Sequence, residues 1–285
     1  MNPEGELYVV ATPIGNLGDI SERALWALRT ADFIACEDTR TSVNLLRHFG
    51  INTRLEAYHK FNEREKAPGI IERMKEGQSC ALITDAGTPS VSDPGAVLVS
   101  QAAQAGIRIT GIPGPSAAAL AVSVCGFAGG SYGFYGFLPR GNSLNAALEE
   151  TKNGPDIGVF YESPHRALDF LEAAAKIFPE AEVCCCNDLT KFYETIYRGA
   201  VNDVISALRA NPSVHKGEYT IVVKKNYVPA PAAPEIISNE AALADIMVKT
   251  GVSLKEAVAE LAARGTPKKE AYAASLKLKG LLGGR

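Results

Sequence analysis

Residues 81–95, A-L-I-T-D-A-G-T-P-S-V-S-D-P-G, constrain this chain more than any other stretch. Ala81, Leu82 and Ile83 have the pattern of a buried strand end. Val97, Leu98 and Val99, then Ala102 and Ala103, recur at helical spacing. That spacing predicts a helix beginning just after Asp93, with Pro94 in its first turn. A strand, a Gly/Pro-rich loop and a helix start together turn backbone N–H groups toward a polar ligand. Gly87 and Gly95 allow that ligand to approach the backbone closely. Asp85 and Asp93 would repel a phosphate and suit a hydroxyl-bearing or cationic ligand, such as a ribose or a sulfonium. An ordinary strand-to-helix turn has the same local pattern.

The surrounding order of elements says what kind of sheet carries this loop. A first strand over residues 7–11 runs into T-P-I-G-N-L-G-D at 12–19. Ser21 opens a helix in which Leu25, Trp26 and Leu28 are spaced for one buried face. A second strand at 33–36 ends in Glu37, Asp38, Thr39, Arg40, Thr41 and Ser42, ahead of a helix stopped by Gly50. A short strand at 55–58 and a helix through Ile70, Ile71 and Met74 lead to the central strand. Beyond it, a strand at 107–110 enters G-I-P-G-P-S-A at 111–117 and a small-residue helix at 117–124. Strands alternating with helices imply a mostly parallel sheet covered on both faces. All three Gly/Pro loops follow strands, so they should lie along one edge of it.

Residues 126–141 read as a glycine-rich hinge in which Phe134, Tyr135 and Phe137 suggest a strand or a lid. A second α/β pattern follows: a strand at 157–161, a helix at 167–177, a strand at 182–186, a helix through Val204 and Leu208, and a closing strand at 216–223. The fold class is therefore α/β, with an N-terminal domain at 1–122, a second at 123–227, and a proline-rich linker and basic helical tail at 228–285. In the tail, Ser253 and Glu256 form a capping box, and Thr266-Pro267 is an N-cap with proline at N1. Short helices separated by Gly251 and Gly265 suit a helix-turn-helix-like module.

Composition narrows the class. Of 285 residues, 46% are hydrophobic and 21% charged, which suits a soluble globular protein with more than one domain. No apolar run reaches the roughly 20 residues of a membrane span, and the first residues have no signal-like character. The six cysteines include no C-x-x-C pair, and the four histidines are scattered. No metal and no disulfide framework is expected, and the cytoplasm is the expected compartment. Cys184, Cys185 and Cys186 read as buried thiols of a strand. Net charge is −3, but residues 249–285 carry +5, leaving −8 on the remainder. A basic end on an acidic body suits a polyanion; a solvated helical face would carry the same charges.

The three loops together resemble the tetrapyrrole-methylase-like class of S-adenosyl-L-methionine enzymes. C-E-D-T-R at 36–40, Y-E-S-P-H-R at 161–166, N-D-L-T-K at 187–191 and K-G-E-Y-T at 216–220 narrow the resemblance to the branch that methylates ribosomal RNA. It spans about residues 7–225, with seven motifs in order. The first loop departs from the G-x-G-P-G-D type usual among tetrapyrrole enzymes. The resemblance implies two α/β domains with the methyl donor in the cleft between them, and a homodimer. It implies 2′-O-methylation of a cytidine ribose in 16S rRNA of the 30S ribosomal subunit, with no membrane and no metal. A tetrapyrrole C-methyltransferase and a non-catalytic RNA-binding module are the competing classes. The first loop and basic tail oppose the former, and the intact three-loop set opposes the latter.

On this resemblance the donor is expected at Pro13, at Asp85, Ala86, Gly87, Thr88 and Pro89, at Ser92 and Asp93, and at Pro113, Gly114, Pro115, Ser116 and Ala117. The last helix start suits the methionyl carboxylate. Glu37, Arg40, Arg166, Lys191 and Glu194 are expected on the RNA side, the cations against phosphates. A sulfonium methyl needs little activation, whereas a ribose hydroxyl must be aligned and must lose its proton. Lys191, Glu162, Arg40 and Asp38 are the catalytic candidates, with the proton transfer assigned to either Lys191 or Glu162. Any one of these charges can equally be a loop-end ion pair.

Overall fold

Five short strands, two of them unbroken apolar runs, make the first sheet of the computed structural model, which describes residues 5–141, 143–226 and 238–282. They are β1 (Glu6–Val10), β2 (Phe33–Cys36), β3 (Arg54–Ala57), β4 (Cys80–Ile83) and β5 (Arg108–Ile112). Their order is β3-β2-β4-β1-β5, and every pairing is parallel. Between them run α1 (Glu22–Thr30), α2 (Thr39–His48), α3 (Glu63–Lys75) and α4 (Ala96–Gln104). Successive side chains of a strand point to opposite faces, which sorts the core. Leu7, Phe33, Ala35 and Leu82 pack with Ile70, Met74 and Leu98. Tyr8, Val10, Ile34, Cys36 and Ile83 pack on the other face with Ala24, Ala27, Leu28 and Leu46. Because β4, β1 and β5 are adjacent and parallel, the three Gly/Pro loops do share one edge.

Helix α5 (Ala117–Cys125) leaves β5 but packs on a second sheet. That sheet contains β6 (Tyr132–Phe137), β7 (Ile157–Glu162), β8 (Glu182–Asn187), β9 (Thr195–Ala200) and β10 (Tyr219–Lys224). Its order is β6-β7-β10-β8-β9, with β6 parallel to β7 and the other pairings antiparallel. Ala118, Ala121 and Cys125 bury one face of α5 against Val159, Cys184, Cys186 and Val222. The opposite face of the sheet is covered by α6 (Ser143–Glu150), α7 (Ala167–Ile177) and α8 (Val201–Ala210), through residues such as Phe170, Leu171 and Leu208. All three cysteines of the triplet are buried in β8.

Three expectations need correction. The segment at 216–223 does not close the sheet: β10 is its central strand, and Tyr219, Ile221 and Val223 enter the core. Trp26 is half exposed, because the buried stripe of α1 is Ala24, Ala27 and Leu28; its ring meets only the edge of Tyr8, with centroids 5.5 Å apart. Helix α4 starts at Ala96 rather than just after Asp93. Ser90 and Ser92 adopt positive φ, Ser90 N–H bonds back to the Pro94 carbonyl, and Gly95 at φ 136° caps the helix. The loop therefore stays wound for two residues longer than the helical spacing implied.

A separate unit from residue 229 onward contains α9 (Asn239–Thr250), α10 (Leu254–Ala263) and α11 (Lys268–Leu282). Leu243, Ile246, Ala257, Leu261, Ala271 and Ala274 form its core. The Ser253–Glu256 capping box is present, and Gly251 ends α9 in the left-handed region. The proline-rich stretch at 228–234 lies outside the described residues. Among the described residues no helix is long and apolar enough to cross a membrane.

Candidate active site

Strand direction decides what faces what. The carboxyl ends of β6, β7 and β8 and the amino ends of β9 and β10 share one edge of the second sheet. A cavity of about 420 Å³ lies between that edge and the carboxyl edge of the first sheet. This is within the few-hundred-Å³ size of a small-molecule site. From the first sheet it is lined by Ile14, by Asp85, Ala86, Gly87 and Thr88, and by Val91, Ser92 and Asp93. Ser116 and Ala117 contribute the start of α5. The second sheet supplies Phe137, Tyr161, Glu162, Ser163, Pro164, Leu189, Glu218, Tyr219 and Thr220.

Local chemistry holds these loops. Thr12 and Gly87 exchange backbone hydrogen bonds of 2.8 and 3.0 Å, tying the loop after β1 to the loop after β4. The Thr88 hydroxyl donates to the Pro115 carbonyl at 3.1 Å, linking the second loop to the third. Gly87 sits at φ 87°, and a Cβ there would stand 3.4 Å from Ile14. The positive φ is what favours glycine here, since a Cβ at that distance would make an ordinary contact. Ser116 caps α5, and the Ala118 N–H donates to the Tyr161 hydroxyl at 3.2 Å, joining the third loop to the second sheet.

One wall is acidic. Asp93 is pushed up to about 6, first by burial and then by the charge of Glu37. Burial also raises Asp85, whose carboxylate accepts from the Asp38 N–H at 3.2 Å. Glu37 accepts from the Thr84 hydroxyl at 2.9 Å. Carboxylates massed in this way await hydroxyl donors or a cation.

The opposite wall holds Glu162, whose side chain is fully buried. Its Oε1 accepts from the Ser163 N–H at 2.8 Å, while its Oε2 has no hydrogen-bond partner and lies 3.1 Å from an Arg166 nitrogen. Burial pushes its carboxyl above the usual carboxylate range, against the opposing pull of Ser163, Arg166 and Arg140. A buried carboxylate oxygen without a hydrogen-bond donor, in a cavity wall, marks Glu162 as a candidate functional group.

The sequence expectations divide accordingly. Asp85, Ala86, Gly87, Thr88, Ser92, Asp93, Ser116, Ala117 and Glu162 line the cavity. Pro13, Pro89, Pro113, Gly114 and Pro115 do not; they shape the loops, and Gly114 packs against Ala11, where a Cβ would meet another at 2.9 Å. Glu37 stands behind the acidic wall. Arg40 is paired with Asp38 at 2.7 Å, with its side chain 89% exposed. Asp38 also caps α2, and its carboxyl is held down to about 2 by Arg40. Lys191 does not pair with Glu194. Its ammonium meets Asp188 at 2.6 Å and Glu218 at 2.7 Å, while Glu194 accepts from the Thr190 N–H at 2.6 Å. Burial opposes the Lys191 charge, but the hydrogen bonds to Asp188 and Glu218 outweigh it and raise its pKa. Lys191 is thus a fixed cation.

Ile14, Val91, Phe137, Tyr161, Leu189, Tyr219 and Thr220 were missed. Several lie in the very motifs quoted, but a search for charge passes over apolar and aromatic lining. The signal available was position: Tyr161 is next to last in β7 and Tyr219 opens β10, each beside a glutamate.

Comparisons with known proteins agree with this architecture. The profile of the tetrapyrrole (corrin/porphyrin) methylases matches residues 6–205. A protein of Escherichia coli O157:H7 named ribosomal RNA small subunit methyltransferase I is 43% identical over 78% of this chain and 79% of its own length. One of the same name from Halalkalibacterium halodurans is 40% identical over 94% of both chains. Among solved structures, a diphthine synthase superposes with a TM-score of 0.61 at 16% identity, over 79% of this chain and 92% of its own. The uroporphyrin-III-C-methyltransferase of Thermus thermophilus gives 0.53 at 20% identity, over 78% and 94%. At those identities the likeness is one of fold.

Proposed function

The chain belongs to the tetrapyrrole methylase family, and on that premise we propose that it transfers a methyl group from S-adenosyl-L-methionine to a cytidine 2′-hydroxyl of 16S rRNA in the small ribosomal subunit. The observation that carries the reading is the pairing of an acidic loop wall with a buried glutamate, one of whose oxygens has no hydrogen-bond donor, across one cavity. Relatives that match nearly the whole chain and bear an rRNA methyltransferase name support the choice of acceptor. So does the first loop, which lacks the G-x-G-P-G-D pattern of tetrapyrrole enzymes.

The residues present fit the donor. Asp85 and Asp93 suit its ribose hydroxyls and positive charge, Gly87 admits it against the backbone, and the start of α5 at Ser116 and Ala117 suits its carboxylate. Bound there, it supplies an electrophilic sulfonium methyl. Positioning of the acceptor oxygen then accounts for much of the rate. As that oxygen takes the methyl, its proton must leave. Glu162 Oε2 is the acceptor we assign, because burial raises its basicity and no donor hydrogen-bonds it, while Arg166, 3.1 Å away, holds the carboxylate in place. Arg40, Arg166 and Lys191 offer positive charge for phosphates, with Glu37, Asp38 and Glu194 holding the loops that carry them. We place the two methyltransferase domains at 1–122 and 123–227, and assign a homodimer working in the cytoplasm.

Isothermal calorimetry with S-adenosyl-L-methionine tests the cavity as a donor site: saturable binding that Asp85→Ala abolishes is expected. No binding at millimolar donor would overturn the assignment.

A further inference from the structure

Residues 188–194 form the loop between β8 and β9. Its backbone is locked. Asp188 and Thr190 hold positive φ at 52° and 67°, Lys191 is clamped between two carboxylates, Glu194 receives the Thr190 N–H, and Thr195 donates its hydroxyl to the Tyr193 carbonyl. Strained non-glycine backbone of this kind persists only where surrounding contacts impose it. Yet the two side chains at its tip project into solvent: Phe192 is 92% and Tyr193 78% exposed. Their rings stand edge to face, centroids 4.9 Å apart at 88°.

A rigid loop presenting bare rings beside a cavity is a binding feature rather than a folding one. Leu189 of the same loop lines the cavity, and the rings follow it by three and four residues. At the far edge of the same sheet Phe137 also lines the cavity and is 59% exposed. Four strand spacings, roughly 19 Å, separate those edges, so the two sets of rings cannot serve one base. Cations accompany them: Lys191 in the same loop, Arg166 and Arg140 close enough to act on Glu162 in the cavity wall, and Arg40 close enough to act on Asp85. Rings for stacking and cations for phosphates together fit an extended single strand with its bases splayed, the form in which RNA is read.

We propose that Phe192 and Tyr193 are a stacking platform for a nucleobase flanking the methylated nucleotide, positioning the acceptor ribose in the cavity. This rests on the RNA-methyltransferase reading and adds to it the conformation of the substrate: single-stranded, with at least one neighbouring base unstacked from its own chain.

The test is binding of the full-length Phe192→Ala/Tyr193→Ala variant to unmethylated small ribosomal subunits at several salt concentrations. Stacking depends little on ions, so affinity should fall by roughly five- to hundredfold, while the slope of log affinity against log salt stays unchanged. Phe192→Trp in the Tyr193→Ala background should recover much of the loss. Donor affinity and sedimentation behaviour should match wild type. Subunit affinity within twofold of wild type would overturn the proposal. So would a variant that binds less well only because it has changed its oligomeric state, since the rings would then belong to a protomer contact. Wild-type protein that ignores the subunits would instead contradict the RNA reading beneath it.

Discussion

Lys191 lies across Gly15 so closely that a Cβ on Gly15 would stand 2.5 Å from the lysine Cγ and 3.0 Å from the Thr190 hydroxyl. Gly15 belongs to the loop after β1 and Lys191 to the loop after β8, so this contact joins the two sheets at the cavity mouth. Gly15→Ala should push the lysine out of its two ion pairs without disturbing either core. Methyl transfer is expected to fall roughly tenfold, about 1.4 kcal/mol of barrier. In a double-mutant cycle, Lys191→Ala should add little to the loss from Gly15→Ala, because both act through one contact. Strictly additive losses would show that the contact does not matter.

Gly87→Val places a branched side chain at φ 87° against Ile14, in the wall we assign to the donor. Asp85→Ala removes one carboxylate of that wall. Each should abolish donor binding in a calorimeter while the folded state persists by circular dichroism. Donor affinity within about twofold of wild type, about 0.4 kcal/mol, would move the donor elsewhere.

Asp93 connects the site to pH. Its folded pKa, pushed up to about 6, lies above the ordinary aspartate value, so the folded chain binds its proton more tightly than the unfolded chain does. Its contribution to stability is present below the ordinary pKa and is lost as pH rises through about 6. Asp93→Asn should therefore melt higher than wild type at pH 8, and the difference should shrink toward pH 4. A cationic donor favours the ionised carboxylate, so donor affinity of the wild type should climb between about pH 5 and pH 7, with proton release seen as buffer-dependent binding heat. A flat affinity profile in wild type would contradict this assignment.

The two proton-transfer candidates can be told apart. Lys191 is a cation held by Asp188 and Glu218, whereas Glu162 keeps an oxygen that no donor hydrogen-bonds. Glu162→Gln retains the acceptor for Ser163 but cannot take a proton. Its single-turnover rate should drop by roughly 10²- to 10⁴-fold, with donor affinity nearly unchanged and the acidic limb of the pH–rate profile lost. Lys191→Ala should lower the rate less and leave that limb in place. The opposite pattern would reassign the base to Lys191.

The sheet carrying the three Gly/Pro loops was legible because parallel strands buried on both faces leave unbroken apolar runs, as in 33–36 and 80–83. The cavity wall at 85–93 was legible in part: Gly87 and the two aspartates suit a polar ligand, while an ordinary strand-to-helix turn has the same local pattern. The second sheet was harder. The buried run at 219–223 says that β10 is covered on both faces but not which strands flank it, so its place in the order could not be read. The partners of Lys191 were also hidden. Glu194 is near in sequence, while Glu218 arrives only when β10 inserts beside β8. Ser90 and Ser92 hid the true start of α4, since neither residue type announces a positive φ.

Methyl transfer from isotope-labelled S-adenosyl-L-methionine to unmodified small ribosomal subunits, followed by mass spectrometry of the RNA nucleosides, tests the central claim. The account predicts one labelled 2′-O-methylcytidine per subunit, formed by the wild type and lost in Glu162→Gln. Label on a base atom, or transfer to a tetrapyrrole with none to the subunit, would contradict it.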